Sequence, residues 1–334
     1  MNTSAITHGS VNEALNLEVN TDITSDIHEF FTVRYSNEPA DNIIHLLTNV
    51  TTPSLQSEQI FESWQGAAHS TSNPEGWQLF ENDQYLLACV PQTLIANLPM
   101  DQASEKAYSA IFELMHTYGY PFLIRTWNFF SDITSDGYAG SNNYQLFCSG
   151  RSRAYQQQSL VQQSYPAATV IGTQQSGLQI FFIAAKQAGV GIENSRQVSA
   201  FDYPAIYSQD PPLFSRALLH RNQSQQILFV SGTASITGHD TQYAGDINRQ
   251  TEICLSNIEQ LISTAIHEQD MTPINLREFS QFKVYLKNPN DIETVRTHMQ
   301  QTLGPSTPVY YLHGDMCRSD LSVEIEALAI IPIL

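Results

Sequence analysis

Positive charge is scarce in this chain: 11 Arg and 4 Lys stand against 33 acidic residues over a length of 334. The formal net charge is −18 and the pI about 4.8. Such a field repels phosphate backbones and excludes nucleic acid as a natural partner. An anionic substrate must therefore be met by basic residues gathered locally, and the bias toward Arg suits planar recognition of carboxylates. Cysteine is also sparse, and Cys89, Cys148, Cys254 and Cys317 form no C-x-x-C pair. The opening MNTSAITHGSVNEALNLEVN has no positive n-region and no apolar h-region. The expectation is reduced thiols in a cytoplasmic protein. No run approaches the roughly 18 apolar residues of a membrane helix. The ten His residues lack H-x-x-x-H spacing, and neither phosphate-binding glycine motif, G-x-x-x-x-G-K-[ST] or G-x-G-x-x-G, is present. No metal and no cofactor is expected.

What is present reads as a globular chain, with 42% hydrophobic and 14% charged residues and a mean hydropathy of −0.23. The length is enough for two domains and a sizeable core. Residues 1–25 are polar and read as a loose or pairing arm. The pattern predicts a strand over 84–94 and a helix over 101–119, with Ala107, Ala110, Ile111, Leu114 and Met115 on one face and Gly119 as its stop. It predicts a strand over 120–130, a loop over 136–143 and a second helix over 141–161 capped by Ser141. AATVIGT and GLQIFFIAAKQ follow as paired strands. The second half reads as a strand over 225–236, a long amphipathic helix over 245–269, then strand, helix, strand and a closing strand in SVEIEALAIIPI. The fold class is α/β in an α+β sandwich sense, with helices on one face of each sheet. The first half carries a similar, less legible set. A boundary near residue 165 divides an N-terminal domain, 1–165, from a C-terminal one, 166–334, with the active site near their interface.

Four stretches concentrate chemistry. In CRSDLSVEIEALA, Glu324 and Glu326 share a strand face with the apolar Leu328 and Ile330. A solvent face stays polar along its length, so this pattern is unusual. An arginine beside Glu324, such as Arg318, would hold it ionised; burial would keep it protonated, as a general acid requires. In NYQLFCSGRSRAY, a helix sets Tyr144, Phe147, Cys148, Arg151 and Tyr155 on one face. Arg151 there needs a salt bridge or a ligand, Gly150 permits a close approach, and Arg153 reads as a solvated charge. The irregular stretch QVSAFDYPAIYSQDPPLFSRALL offers Tyr203, Tyr207 and Arg216, suited to an anion with an apolar body or to a packed connection. LFVSGTASITGHDTQYAGD turns beside a cavity, with His239 read as a loop histidine bonded to backbone rather than a catalyst.

The span from PPLFSRALL through ILFVSGTASITG, GDINRQTEICLSNIEQLI and VEIEALA resembles a Rid-type (YjgF-like) domain, in which the first Glu of the closing motif, here Glu324, faces a cleft. The substrate-binding A-R-S segment of simple Rid imine deaminases is replaced by GDMCRSDLS. A longer resemblance, carried by RTWNFFSDI, YQLFCSGRSRAY, IENSRQVSAFDYP and DMCRSDLSVEIEA, is to the chorismatase family, which is built on a doubled Rid-type fold. It implies chorismate as substrate, pyruvate released from its enolpyruvyl ether, and Glu324 as the acid that protonates the methylene carbon, with Glu326 in support. It further implies Arg151 as first carboxylate ligand beside Tyr144 and Tyr203, with Arg216 as candidate for the second carboxylate. Cys317, seven residues before Glu324, resembles the branch forming a hydroxybenzoate, while Ala234 replaces the glycine associated with strict 3-hydroxybenzoate formers. The expected product is 3- or 4-hydroxybenzoate or both. The alternatives are a hydrolytic chorismatase giving a dihydroxycyclohexadiene carboxylate, or an imine deaminase. No nucleic-acid or membrane partner is implied, and the oligomeric state ranges from monomer to a small homo-oligomer such as a trimer.

Overall fold

The computed structural model describes residues 16–20, 31–36, 45–48, 59–65, 70–72, 74–158, 165–174 and 176–333; of the side chains before Glu75, it describes only Glu62 and Trp64. Strands β1 (Asn16–Asn20), β2 (Phe31–Ser36), β3 (His45–Thr48) and β4 (Gln59–Gln65) form a sheet in the order β1-β4-β2-β3. The pairing expected of the N-terminal arm is thus met by β1; the rest of 1–25 lies outside the described residues.

Two six-stranded sheets follow, and they repeat one topology. The first contains β5 (Ser70–Ser72), β6 (Gln78–Glu81), β7 (Tyr85–Cys89), β8 (Phe122–Ser131), β9 (Ala167–Thr173) and β10 (Leu178–Ala185), ordered β5-β6-β7-β10-β8-β9. The second contains β11 (Val190–Ile192), β12 (Ala217–Arg221), β13 (Gln225–Ala234), β16 (Gln281–Leu286), β17 (Val309–His313) and β18 (Val323–Pro332), ordered β11-β12-β13-β18-β16-β17. Between β13 and β16 lies the small hairpin of β14 (Ile236–Thr237) and β15 (Asp240–Thr241). In each sheet a meander leads to a helix, a strand, a second helix and a parallel strand, and the last strand inserts in the middle. Because β9 and β10 belong to the first sheet, the chain changes sheets between Ala185 and Val190. The boundary expected at 165 therefore falls within the first unit. Strand β9 is built wholly of buried residues, and a buried strand marks no composition break.

The helices are α1 (Gln92–Ile95), α2 (Met100–Tyr118), α3 (Asn143–Gln157), α4 (Ile247–Gln269) and α5 (Ile292–Leu303). Three expectations need revision. The strand over 84–94 stops at Cys89, because Pro91 caps the short α1. Helix α3 is capped by Asn142, not Ser141: Asn142 accepts from the Gln145 N–H, and the Gln145 side chain accepts from the Asn142 N–H, a reciprocal capping box. Arg153 is half-exposed but paired, with Asp101 at 3.0 Å and Glu105 at 2.6 Å on α2.

The layers run helices, sheet, sheet, helices. Apolar residues of α2 and α3 pack with Leu86, Ile180 and Phe182 of the first sheet. Those of α4 and α5 pack with Val323, Ile325 and Ala327 of β18. A third core lies between the sheets, where Trp127, Phe129 and Phe181 meet Leu218, Phe229, Tyr285 and Leu328. Strand β18 is thus buried on both sides. Its Glu324–Glu326–Leu328–Ile330 face points not at solvent but at the other sheet, which is why two carboxylates share a row with aliphatic side chains.

Candidate active site

The seam between the sheets runs along β9 and β13. Ser231 Oγ accepts from the Ala168 N–H at 2.9 Å, and Ser215 N–H reaches Pro166 O at 2.9 Å. A cavity of about 320 Å³ opens there, lined by residues of β9, β13, β18, the start of α3, the 203–216 segment and the 317–319 turn. Its size suits a small organic molecule. Of the residues singled out in the sequence, Tyr144, Tyr203, Arg216, Ala234, Cys317 and Glu324 all line it, and Arg151 does not.

Glu324 owes its position to a bulge. Val230 pairs with Ala327 and Thr233 with Ile325, so Ser231 and Gly232 together oppose Glu326. The extra residue brings bare backbone under the carboxyl: a Cβ at Gly232 would lie 1.9 Å from Glu324 Oε1. Only glycine leaves that room. Beyond the bulge Ala234 is the direct cross-strand partner of Glu324. Among the described residues no donor hydrogen-bonds the Glu324 carboxyl, and burial, reinforced by the charge of Glu326 against the weaker pull of Arg125 and Arg216, pushes it up to about 8. Near neutrality it is a carboxylic acid, so of the two states open to it in the sequence the structure selects the protonated one.

Glu326 is the opposite case. Burial alone would raise its carboxyl, but Lys283 and Arg125, with hydrogen bonds from Lys283 and Thr169, hold it at about 2. Its partners are Arg125 Nη2 at 2.9 Å, Thr169 Oγ1 at 2.6 Å, Trp127 Nε1 at 2.9 Å and Lys283 Nζ at 2.6 Å.

Arg216 is buried at the cavity wall, its Nη2 donating to Val198 O and Tyr203 Oη, both at 2.8 Å. Its Nε is buried without a partner among the described residues. A guanidinium bonded to neutral acceptors and keeping a free donor is ready for an anion. Arg151 is placed differently. It is buried on α3 against Phe147 and Tyr108, at 5.0 and 5.9 Å from its guanidinium carbon, outside the cavity lining. Its Nε and Nη1 find no partner among the described residues. The close approach that Gly150 permits is to α2, since a Cβ there would meet Asp101 O at 1.9 Å.

The cavity is also lined by Arg318 and Tyr207, which sequence reasoning named without a substrate role, and by Gly232, which it did not single out. Arg318 stacks on Tyr207 with its guanidinium carbon 3.9 Å from the ring centroid and donates to His239 O at 2.8 Å. Tyr207 Oη lies 3.1 Å from His239 Nδ1 and donates to Asp240 at 3.1 Å. Helix α3 ties this roof down through Gln145 to Tyr207 O at 2.7 Å and Ser149 to Asp210 at 2.6 Å. His239 serves the roof and is not part of the cavity lining. Cys317 is half-buried, and burial with the nearby Glu324 pushes its thiol up to about 12, so it is a thiol rather than a thiolate. Among the described residues no group of three or more His, Cys, Asp or Glu is placed to hold a metal, and no helix is long and apolar enough to cross a membrane.

The fold is a doubled α+β unit, and the cavity between its sheets brings together a neutral carboxylic acid and a buried arginine. The model for the N-terminal domain of FkbO/Hyg5-like chorismatases matches residues 62–184. A chorismatase of Streptomyces rapamycinicus is 34% identical over 84% of this chain and 85% of its own length. A 3-hydroxybenzoate synthase of Streptomyces hygroscopicus is 38% identical over 68% of this chain and 69% of its own. A chorismatase crystal structure superposes with a TM-score of 0.86 at 28% identity, covering 96% of this chain and all of the other. The chain belongs to the chorismatase family.

Proposed function

We propose that this enzyme converts chorismate to a hydroxybenzoate and pyruvate, with Glu324 as proton donor. The observation that carries the reading is a carboxyl held protonated near neutral pH in the same cavity as an arginine with an unpartnered buried donor. The acid delivers its proton to the methylene carbon of the enolpyruvyl ether, leaving an oxocarbenium ion and a Glu324 carboxylate. Protonating carbon is slow, which favours a donor that is desolvated and aimed. Cleavage of the ether bond at the ring carbon releases pyruvate, the ether oxygen becoming its ketone, and loss of the proton on the hydroxyl-bearing carbon gives 4-hydroxybenzoate. The 3-isomer follows if the ring hydroxyl oxygen displaces pyruvate to form an epoxide, which opens at the former hydroxyl carbon with loss of the proton on the carbon that keeps the oxygen. In either case Glu324 is the nearby base that regains the proton. Elimination consumes no water, whereas the hydrolytic alternative consumes one.

Arg216 and Tyr203 take one substrate carboxylate. Arg151, whose charge acts on Tyr144, adds positive potential from outside the lining, and Cys317 and Ala234 shape the space beside the cation. The 3-hydroxybenzoate synthase relative supports a hydroxybenzoate product, with the 3-isomer first and the 4-isomer as the reading that Ala234 favours. Incubation of purified protein with chorismate, followed by chromatography and NMR of products, tests this. Pyruvate with a hydroxybenzoate is expected; pyruvate with a cyclohexadiene diol would overturn the product, and unconsumed chorismate the function.

A further inference from the structure

Glu324 and Glu326 leave β18 on one face, two residues apart, and enter opposite surroundings. The four donors around Glu326 come from three strands of two sheets, and one of them reaches further. Lys283, the cross-strand partner of Glu326 on β16, also holds Glu62 of β4 at 2.7 Å, and Trp64 Nε1 closes the far side of Glu62 at 2.9 Å. The Trp127 ring contacts both cations, 4.5 Å from the Arg125 guanidinium carbon and 5.0 Å from Lys283 Nζ. Among the described residues, two cations and two carboxylates thus meet in the inter-sheet core. Apolar side chains would fill that space at least as stably, so the assembly calls for a role other than stability.

Thr169 supplies the connection. Its hydroxyl donates to Glu326 Oε2 at 2.6 Å and accepts from the Gly232 N–H at 3.2 Å. Gly232 is the backbone over which the Glu324 carboxyl lies. We propose that this assembly positions the acid: Glu326, clamped as an anion by Arg125 and Lys283, adds its charge to burial in opposing ionisation of Glu324, and through Thr169 it fixes the Gly232 backbone beneath the Glu324 carboxyl. The inference rests on Glu324 being the proton donor.

The other groups facing Glu324 leave the assignment clear. Tyr144 from α3, Tyr285 from β16, Cys254 from α4 and Cys317 are all pushed up by burial and stay neutral. The charges acting on Glu324 are Arg125 and Arg216, which favour its ionised form, and Glu326, which opposes it.

The test is a titration of Glu324 by carboxyl 13C NMR in glutamate-labelled protein, its resonance assigned by disappearance in Glu324→Gln. Glu326→Gln is expected to move the midpoint down by about one pH unit or more, and the alkaline limb of kcat/KM with it. Lys283→Met removes a cation held by Glu326 but keeps the Glu326 carboxyl, so it is expected not to move either downward, and a downward shift confined to loss of Glu326 is not what structural damage produces. If Glu326→Gln does not fold, Glu326→Gln/Lys283→Met removes one charge of each sign, lacks the charge that opposes ionisation of Glu324, and should keep the downward shift. Thr169→Val should lower kcat at unchanged KM. Midpoints that stay put in folded variants lacking Glu326 overturn the electrostatic part, and an unchanged kcat in Thr169→Val overturns the positional part. Full turnover in Glu324→Gln would instead sink the proton-donor reading, while the NMR midpoints would still report on the assembly.

Discussion

Ala234 on β13 and Glu324 on β18 are direct cross-strand partners, and both side chains line the cavity. Residues paired this way hold their Cβ atoms about 5 Å apart, so any growth at position 234 meets the acid. Ala234→Val should lower kcat/KM by about tenfold or more through misplacement of the carboxyl. Ala234→Gly should keep turnover and change the ratio of products, read by chromatography. A product ratio equal to wild type in Ala234→Gly would remove position 234 from product control.

Glu324 also ties pH to stability. Its folded-state value, about 8, lies above the ordinary 4.5. The stability it contributes is therefore complete below about pH 4.5 and declines as pH rises toward 8. Glu324→Gln should be more stable than wild type at pH 8, by on the order of a few kcal/mol, with the difference vanishing near pH 4. Denaturant unfolding at both values checks this. In activity assays the wild-type rate should fall above about pH 8, where the proton is gone.

Arg216→Lys keeps the charge and loses the fork. The ammonium cannot hold Val198 O and Tyr203 Oη while offering the third donor that Nε supplies. Substrate binding should weaken about 10- to 100-fold, the loss of a charge-assisted hydrogen bond, measured by calorimetry in the inactive Glu324→Gln background. Unchanged affinity would move the carboxylate site elsewhere in the cavity.

Gly150 is a packing position outside the cavity. A methyl group added there would meet Asp101 O at 1.9 Å, so Gly150→Ala should separate α2 from α3 and cost about 1–3 kcal/mol. Thermal melting would show it, and an unchanged Tm would mean the helices can slide apart freely.

The thiol of Cys317, pushed up to about 12, should resist iodoacetamide at pH 7 although it lines the cavity. Rapid alkylation would contradict that protonation state. Cys317→Ala should shift products toward the hydrated diene by opening space for water beside the cation; an unchanged ratio would free Cys317 of that role.

The second half of the chain is legible in outline because its elements carry strong periods. Helix α4, expected over 245–269, runs Ile247–Gln269, and the closing strand carries its Glu pair where the alternation puts it. The first half is harder. Strands β8, β9 and β10 are buried on both faces, so no regular polar–apolar alternation marks where one unit ends. That is why the expected boundary falls too early. Cys317, Tyr144, Tyr203, Arg216 and Glu324 stand out as residue types with chemistry. Arg125 and Lys283 do carry a signal, each a lone cation in a buried strand, but nothing in the chain pairs them with Glu326, and Thr169 gives none.

By itself the sequence determined the acidic field, the helix faces and caps, the alternation of β18, and the motifs of the family. These are local properties, decided by residues a few positions apart. Only the tertiary structure decided which carboxylate is an acid and which an anion. Glu324 and Glu326 are chemically identical and separated by one residue, so no local rule tells them apart. Their difference comes from Arg125, Lys283 and Thr169, brought from distant strands by the packing of the two sheets, and from the bare backbone of Gly232. Solvation and charge act through space, and the fold alone sets those distances.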